Sequence, residues 1–441
     1  MIEDPKFGVG RVTRFYIPLL LQGFSQSLSY PLVAGIVTHG EYGVNALTAF
    51  SQGQMIMFMI GSLGAGLVTT GLVFAKTWYG YVSFKRLNAI MMAFLLALQC
   101  VPVLPPFAGW IFEGFFALPK ELAEISRWTL LFGAVMNMGF FCRNVPMVVL
   151  FNNLESGKSN NATLLRIAVT LAFSVVFPRV GLVGPWWGLF ALTFGVWVEF
   201  VVTWLYARRY VRELEGTFIA SAQAALSPKE FLALTLEQFR FTLPLALGGF
   251  LLACSPLVIA AFVARTASSA DMLAIHYVTL GVANPIAFAA LKLQTVSVKF
   301  QPEYPGDRRL LVYAVVSGLL LGVIPLLFAT PLVGDWYFGV FQNVPPRILG
   351  TAESVIGIYS LIAVIQAVRA RIEGIAAARK RPKALMAGQI AYTVSLFIVC
   401  AILLPTGCRG WVMAVTAIFI APVCVTATVY AALHFGREKM V

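Results

Sequence analysis

Residues 310–329 read "LLVYAVVSGLLLGVIPLLFA", twenty residues with no charged side chain. A helix of that length rises about 30 Å, the thickness of bilayer hydrocarbon. Inside hydrocarbon the backbone finds no water, so it must close its own hydrogen bonds as a helix or join a closed barrel. Barrel strands show about ten residues of strict alternation, whereas this run is continuously apolar. Twelve such stretches follow one another, at about 14–38, 45–75, 84–105, 126–151, 161–178, 183–207, 240–264, 271–298, 309–330, 351–378, 384–405 and 410–434. Composition agrees: 59% of the 441 residues are hydrophobic and 12% are charged, against about 25% charged in soluble domains. The expected fold class is an all-α integral membrane protein with twelve transmembrane helices.

The twelve divide into two sixes. "RFYIPLLLQGFSQSLSYPLVAGIV" starts at Arg14 and "RFTLPLALGGFLLACSPLVIAAFV" at Arg240. Arg14 and Arg240, Phe15 and Phe241, Pro18 and Pro244, and Gly184 and Gly410 are each 226 positions apart. The expected organisation is a six-helix half over 1–208, a cytoplasmic linker over 209–239 and a second six-helix half over 240–441. An even helix count gives both halves the same orientation, the parallel repeat of some transporters, whose substrate site lies near the midplane between the repeats.

The net charge is +13. The positive-inside rule explains it, with both termini and the basic segments "ARRYVRELEG" and "ARKRPKAL" in the cytoplasm. The charge therefore implies a lipid bilayer, not nucleic acid, as partner.

Some charges fall inside the apolar stretches, where each costs ~2.5–3.5 kcal/mol or more near the bilayer centre unless it faces protein or water. Arg143 and Arg369 are 226 apart and so equivalent in the repeat. Lys292 lies at similar depth. The expected substrate-binding set is Arg143 and Arg369, with Lys292 and Arg371, and with Gln22, Ser25, Gln26, Ser29 and Asn284 as polar donors. A structural alternative stands beside it. Arg369 and Glu373 are spaced to pair on one helix face, and Arg371, about 200° around the helix, could snorkel to headgroups as Lys292 could. Glu199 and Glu373 are candidates for ion coupling or for charge partners; for Glu199 the reading favours a partner to an arginine. His276 reads as a hydrogen-bonded structural residue.

The stretches opening the two halves contain no Asp or Glu, which disfavours a cationic drug exporter. Guanidinium grips carboxylate and phosphate bidentately, so the basic residues point to an anionic solute or a lipid-linked diphosphate. The chain has no phosphate-binding loop, no HExxH and no ligand cluster with metal spacing. It is not expected to be an enzyme or to hold a cofactor or metal. Its six cysteines form no CxxC and read as packing residues.

Two six-helix halves, each opening with Arg-Phe and a proline at the fifth position of that run, resemble the multidrug/oligosaccharidyl-lipid/polysaccharide (MOP) exporter superfamily, which includes multidrug and toxic compound extrusion (MATE) proteins and lipid-linked sugar flippases. "RFYIPL", "GLVF" at 71–74, "PLALGGFLLACSPLVIAAFVAR" at 244–265, and "PPRILG" followed by "VRARIEGIAAARKRPKAL" are similar to the progressive ankylosis family. That resemblance implies export of anions such as citrate, nucleotides or pyrophosphate, with the family's tenth-helix arginine falling on Arg369. The match is strongest in the second half and departs from the family between about 75 and 150. The chain lacks the acidic tail of the animal members, and its ending "HFGREKMV" suggests the inner (plasma) membrane of a bacterium. The expected function is secondary active export of an anionic solute by alternating access through a central basic cavity. A flippase for a polyprenyl-diphosphate lipid is the alternative, and a non-transporting scaffold or receptor ranks below both.

Overall fold

Every regular element is helical in the computed structural model, which describes residues 8–116, 118–221, 226–303, 308–342 and 344–435; the side chains of 26–31, 44, 115, 269, 270, 341 and 435 fall outside the described set. In chain order the helices of the first half are α1 (Val9–Thr38), α2 (Gly43–Gly61), α3 (Gly66–Phe74), α4 (Trp78–Cys100), α5 (Pro105–Ala108), α6 (Lys120–Asn152), α7 (Ser156–Arg179) and α8 (Pro185–Ala220). Those of the second are α9 (Pro228–Val263), α10 (Ser269–Leu291), α11 (Leu293–Phe300), α12 (Arg309–Phe328), α13 (Pro331–Gly334), α14 (Pro346–Tyr359), α15 (Ile362–Ala378), α16 (Pro382–Leu403) and α17 (Gly410–Phe435). Among the described residues, eleven helical spans are long and apolar enough to cross a membrane, with α2–α3, α10–α11 and α14–α15 each counting as one interrupted span. The thirty-residue α1, whose middle side chains are outside the described set, precedes them.

The surface is inside-out relative to a water-soluble protein. Leu320 is 68% exposed and Ile402 62%, while Gln54, Asn88 and Asn137 are buried. Lipid tails are as apolar as leucine, so apolar side chains face outward and polar ones find partners within. Asn137 Nδ2, for example, donates to Gln99 Oε1 at 2.8 Å.

The 226-residue offset returns in the elements. The π-helical turns Gly109–Phe115 and Asp335–Phe341 differ by it at both ends, as do α5 and α13. So do the start of α6 and the start of α14, and the starts of α7 and α16. Close packing repeats too. A Cβ on Gly40 would lie 2.7 Å from Gly184 Cα, and one on Gly410 would lie 2.5 Å from Thr266 Oγ1.

The contacts define two compact units, Ser25–Phe250 and, separately, residues 1–24 with Leu251–Val441. Each unit thus takes the opening turns of the helix that begins the other half of the chain. In one unit Phe15 of α1 packs edge-on against Phe300 at 5.7 Å; in the other Phe241 of α9 packs edge-on against Phe74 at 5.4 Å. Both the two openers and their two partners are 226 apart. Gly23 and Gly249 allow the matching close approaches, to Ala289 and Ser62 respectively.

The segment 209–239, read from sequence as a linker, is mostly helix. Arg209 and Glu213 pair at 2.7 Å one turn apart, and the run is rich in strong helix formers, so α8 continues past its apolar part. Ser-Pro-Lys-Glu at 227–230 then forms a capping box. The Ser227 N–H donates to Glu230 Oε2 at 2.8 Å and the Glu230 N–H donates back to Ser227 Oγ at 3.3 Å, with proline at the first helical position. Helix α9 therefore begins twelve residues before Arg240.

Candidate functional site

Arg143 lies nine positions from the end of α6, Arg166 ten positions into α7, and Glu199 fourteen into α8. At 1.5 Å per residue these sit roughly 13–21 Å from the nearer helix ends, comparable with half the thickness of bilayer hydrocarbon. All three are in the unit spanning Ser25–Phe250, with exposures of 7%, 3% and 0%. Arg143 Nη1 donates to Glu199 Oε2 at 2.9 Å, and Arg166 Nη1 pairs with the same oxygen at 3.3 Å. Thr163 Oγ1 donates to the other carboxylate oxygen. The Arg143 guanidinium stands over the Phe140 ring at 5.0 Å. Two guanidinium groups thus share one carboxylate.

The other unit holds its own cluster. Arg369, 2% exposed, donates from Nε to Glu373 Oε1 at 2.9 Å, from Nη1 to Gln366 Oε1 at 3.3 Å and from Nη2 to Gln389 Oε1 at 3.0 Å. Gln389 Nε2 in turn donates to Glu373 Oε1 at 2.8 Å. The Tyr392 ring lies 5.2 Å beneath the guanidinium.

These clusters are copies of one another. Phe140 and Gln366, Arg143 and Arg369, Thr163 and Gln389, and Arg166 and Tyr392 are all 226 apart. In each copy the residue three before the arginine touches it, and a polar residue on the next long helix bonds the acid. The acid itself has moved. Glu199 comes from α8, where the second half has the buried Val425; Glu373 comes from the arginine's own helix, where the first half has Met147. Sequence analysis selected both arginines and both glutamates but passed over Arg166, Thr163 and Gln389. The offset that relates Thr163 to Gln389 was the signal that could have found them.

The other expected residues scatter. Lys292 is half-buried and sits at the break between α10 and α11, so the eighth apolar stretch is interrupted there. Its counterpart is Gly66, the first residue of α3. Arg371 is half-buried, and its Nε is buried without a hydrogen-bond partner among the described residues. Gln22 is buried on α1 and Asn284 is exposed on α10. The side chains of Gln26 and Ser29 lie outside the described residues. His276 corrects an expectation: it is buried, and neither ring nitrogen has a hydrogen-bond partner among the described residues. Its counterpart is Phe50 in the apolar core of the first half, so the imidazole fills an aromatic slot. A pocket lined by Pro105, Phe112, Glu113, Glu124 and Arg127 lies beside the first π-helical turn and contains none of the expected residues.

Gly195 sets the distance between α7 and α8. A Cβ there would lie 2.7 Å from Thr170 Oγ1 and 3.1 Å from Arg166 Cγ. Gly195→Ala is expected to push α8 outward and cost about 1–3 kcal/mol, the usual range for overpacking. The thermal midpoint of the purified variant checks this.

The sequence matches no protein-family model and no curated protein. Solved structures are similar over nearly the whole chain. A MOP superfamily transporter from Pyrococcus furiosus is 16% identical with a TM-score of 0.70, covering 96% of each chain. The eukaryotic MATE transporter AtDTX14 is 16% identical with a TM-score of 0.69, covering 97% of this chain and 96% of that one. A multidrug resistance MATE family transporter in its outward-facing conformation is 15% identical with a TM-score of 0.71, covering 98% of this chain and 96% of that one. With its two interrupted six-helix halves, this multi-pass membrane protein has the fold of the MATE transporters of the MOP superfamily.

Proposed function

We propose that the chain is a secondary membrane exporter of an anionic solute, working by alternating access in the inner membrane of a bacterium, with both termini in the cytoplasm. The observation that carries the reading is the pair of equivalent, buried arginine clusters in membrane-spanning helices, one of which sets two guanidinium groups against a single carboxylate. A protein whose cargo was cationic would gain nothing from buried positive charge. Solutes with carboxylate or phosphate groups match guanidinium in charge and geometry. The transporter from Pyrococcus furiosus is described by the reverse polarity of its binding pocket and a suggested different function. Pocket polarity therefore varies among proteins of this fold, which supports a reading in which it sets cargo charge. The sequence likeness to the progressive ankylosis family supports the same anions.

Proteoliposomes loaded with citrate, pyrophosphate and ATP test the reading, with the external solution followed by mass spectrometry. Release of one or more of these anions is expected, and its loss in the Arg143→Gln, Arg369→Gln double variant. No release from protein shown to be folded would overturn it and direct attention to polyprenyl-diphosphate lipids.

A further inference from the structure

Arg166 keeps one whole edge of its guanidinium unused. Nε and Nη2 are buried and have no hydrogen-bond partner among the described residues, while Nη1 is held by Glu199. The Nε and Nη2 N–H bonds run parallel, which is the fork that grips two oxygens carried by one atom. Buried donors nearly always find acceptors, and an exception calls for an explanation such as a missing guest. Arg143 adds a further buried donor without a partner, its Nε. The charge has the same sense, because Arg143 and Arg166 share one carboxylate. The second-half cluster provides the contrast. All three Arg369 nitrogens have acceptors in Glu373, Gln366 and Gln389, and a tyrosine stands where Arg166 would be.

We propose that the Nε/Nη2 edge of Arg166 is the primary binding group for the exported anion, a small oxyanion presenting a carboxylate or phosphate, with Arg143 as the second cation. This rests on the anion-exporter reading and assigns its primary contact to the first-half unit. In this conformation the edge is closed, at 3% exposure. The guest enters when the packing of α6, α7 and α8 opens beside Arg166, and Glu199 holds the two cations together while the site is empty.

Calorimetric titration of the protein in phosphatidylcholine nanodiscs tests the assignment, using pyrophosphate and citrate, with chloride at matched ionic strength as control. Saturable binding of at least one oxyanion is expected, and none of chloride. Arg166→Lys keeps the charge and loses the fork, so binding should weaken by about tenfold or more. Arg209→Lys, in the exposed ion pair with Glu213, should leave affinity nearly unchanged. Glu199→Gln strands both cations, so pyrophosphate should raise its thermal midpoint more than that of the unmodified protein. A cryo-EM map of the unmodified protein with pyrophosphate needs no variant to fold, and density against Nε and Nη2 of Arg166 is the expected result. Binding that survives Arg166→Lys, that depends instead on Arg369 or Arg371, or density elsewhere would overturn the assignment; continued anion efflux would then leave the exporter reading intact. Absence of both binding and efflux would overturn the two together.

Discussion

Glu199→Gln is expected to lower stability by about 3–5 kcal/mol, the usual cost of stripping the counter-charge from a buried ion pair. Glutamine matches glutamate in size and still offers Thr163 an acceptor, so the change isolates the charge. What remains is two guanidinium groups, both less than a tenth exposed, with no carboxylate between them. Such charges are costly at this depth, and the helices that hold them must loosen or admit water. The thermal midpoint and the monodisperse yield in detergent measure the effect. Adding Arg166→Met should recover part of the loss, because one stranded cation is replaced by an apolar side chain of similar volume. Glu373→Gln should cost less, since Gln366 and Gln389 still accept from Arg369. A midpoint unchanged by Glu199→Gln would mean that the carboxylate is not the counter-charge the geometry makes it.

The second large effect concerns the exchanged helix openings. A chain cut between Ser221 and Ser227 yields two six-helix halves, and neither is expected to fold alone. The fragment carrying α9 loses the partners of its opening turns: Phe74 for Phe241, Thr70 for Thr242 at 2.8 Å, Ser83 for Thr235 at 2.9 Å, and the Gly80 carbonyl that accepts from Gln238 at 3.2 Å. The fragment carrying α1 loses Phe300 for Phe15, the Ala289 carbonyl that accepts from Tyr16, and Glu303 for Arg11. Each buried polar group left unpaired costs about 1–3 kcal/mol, and several are lost at once. Co-expression of the two fragments should restore assembly, because every lost contact is present in the partner fragment. Affinity tags on opposite fragments and gel filtration read the outcome. A single fragment that ran as a stable monodisperse species would show that the shared openings are dispensable.

Much of this organisation is written in the chain itself. Spans such as 310–329 are legible because a bilayer demands a fixed apolar length and leaves the backbone no choice but a helix. The repeat is legible because it preserves residue types at one offset, Arg143 and Arg369 among them. The pairing of Arg369 with Glu373 is legible too, because residues four apart on a helix share a face. Within the charged run after Tyr206, Arg209 pairs with Glu213 along α8, and the Ser227 capping box starts the next helix earlier than the apolar pattern does.

The tertiary structure decided what depends on how separate helices are rotated against one another. That Glu199 on α8 serves both Arg143 on α6 and Arg166 on α7 follows from three helix orientations at once, and no spacing within any one of them encodes it. The same holds for Phe15 and Phe241. The sequence marks them as equivalent, but only the packing shows that each closes the unit formed mainly by the other half of the chain. Length and periodicity are properties of one segment and survive in a string of letters; charge neutralisation and helix exchange are properties of several segments together and exist only once they are packed.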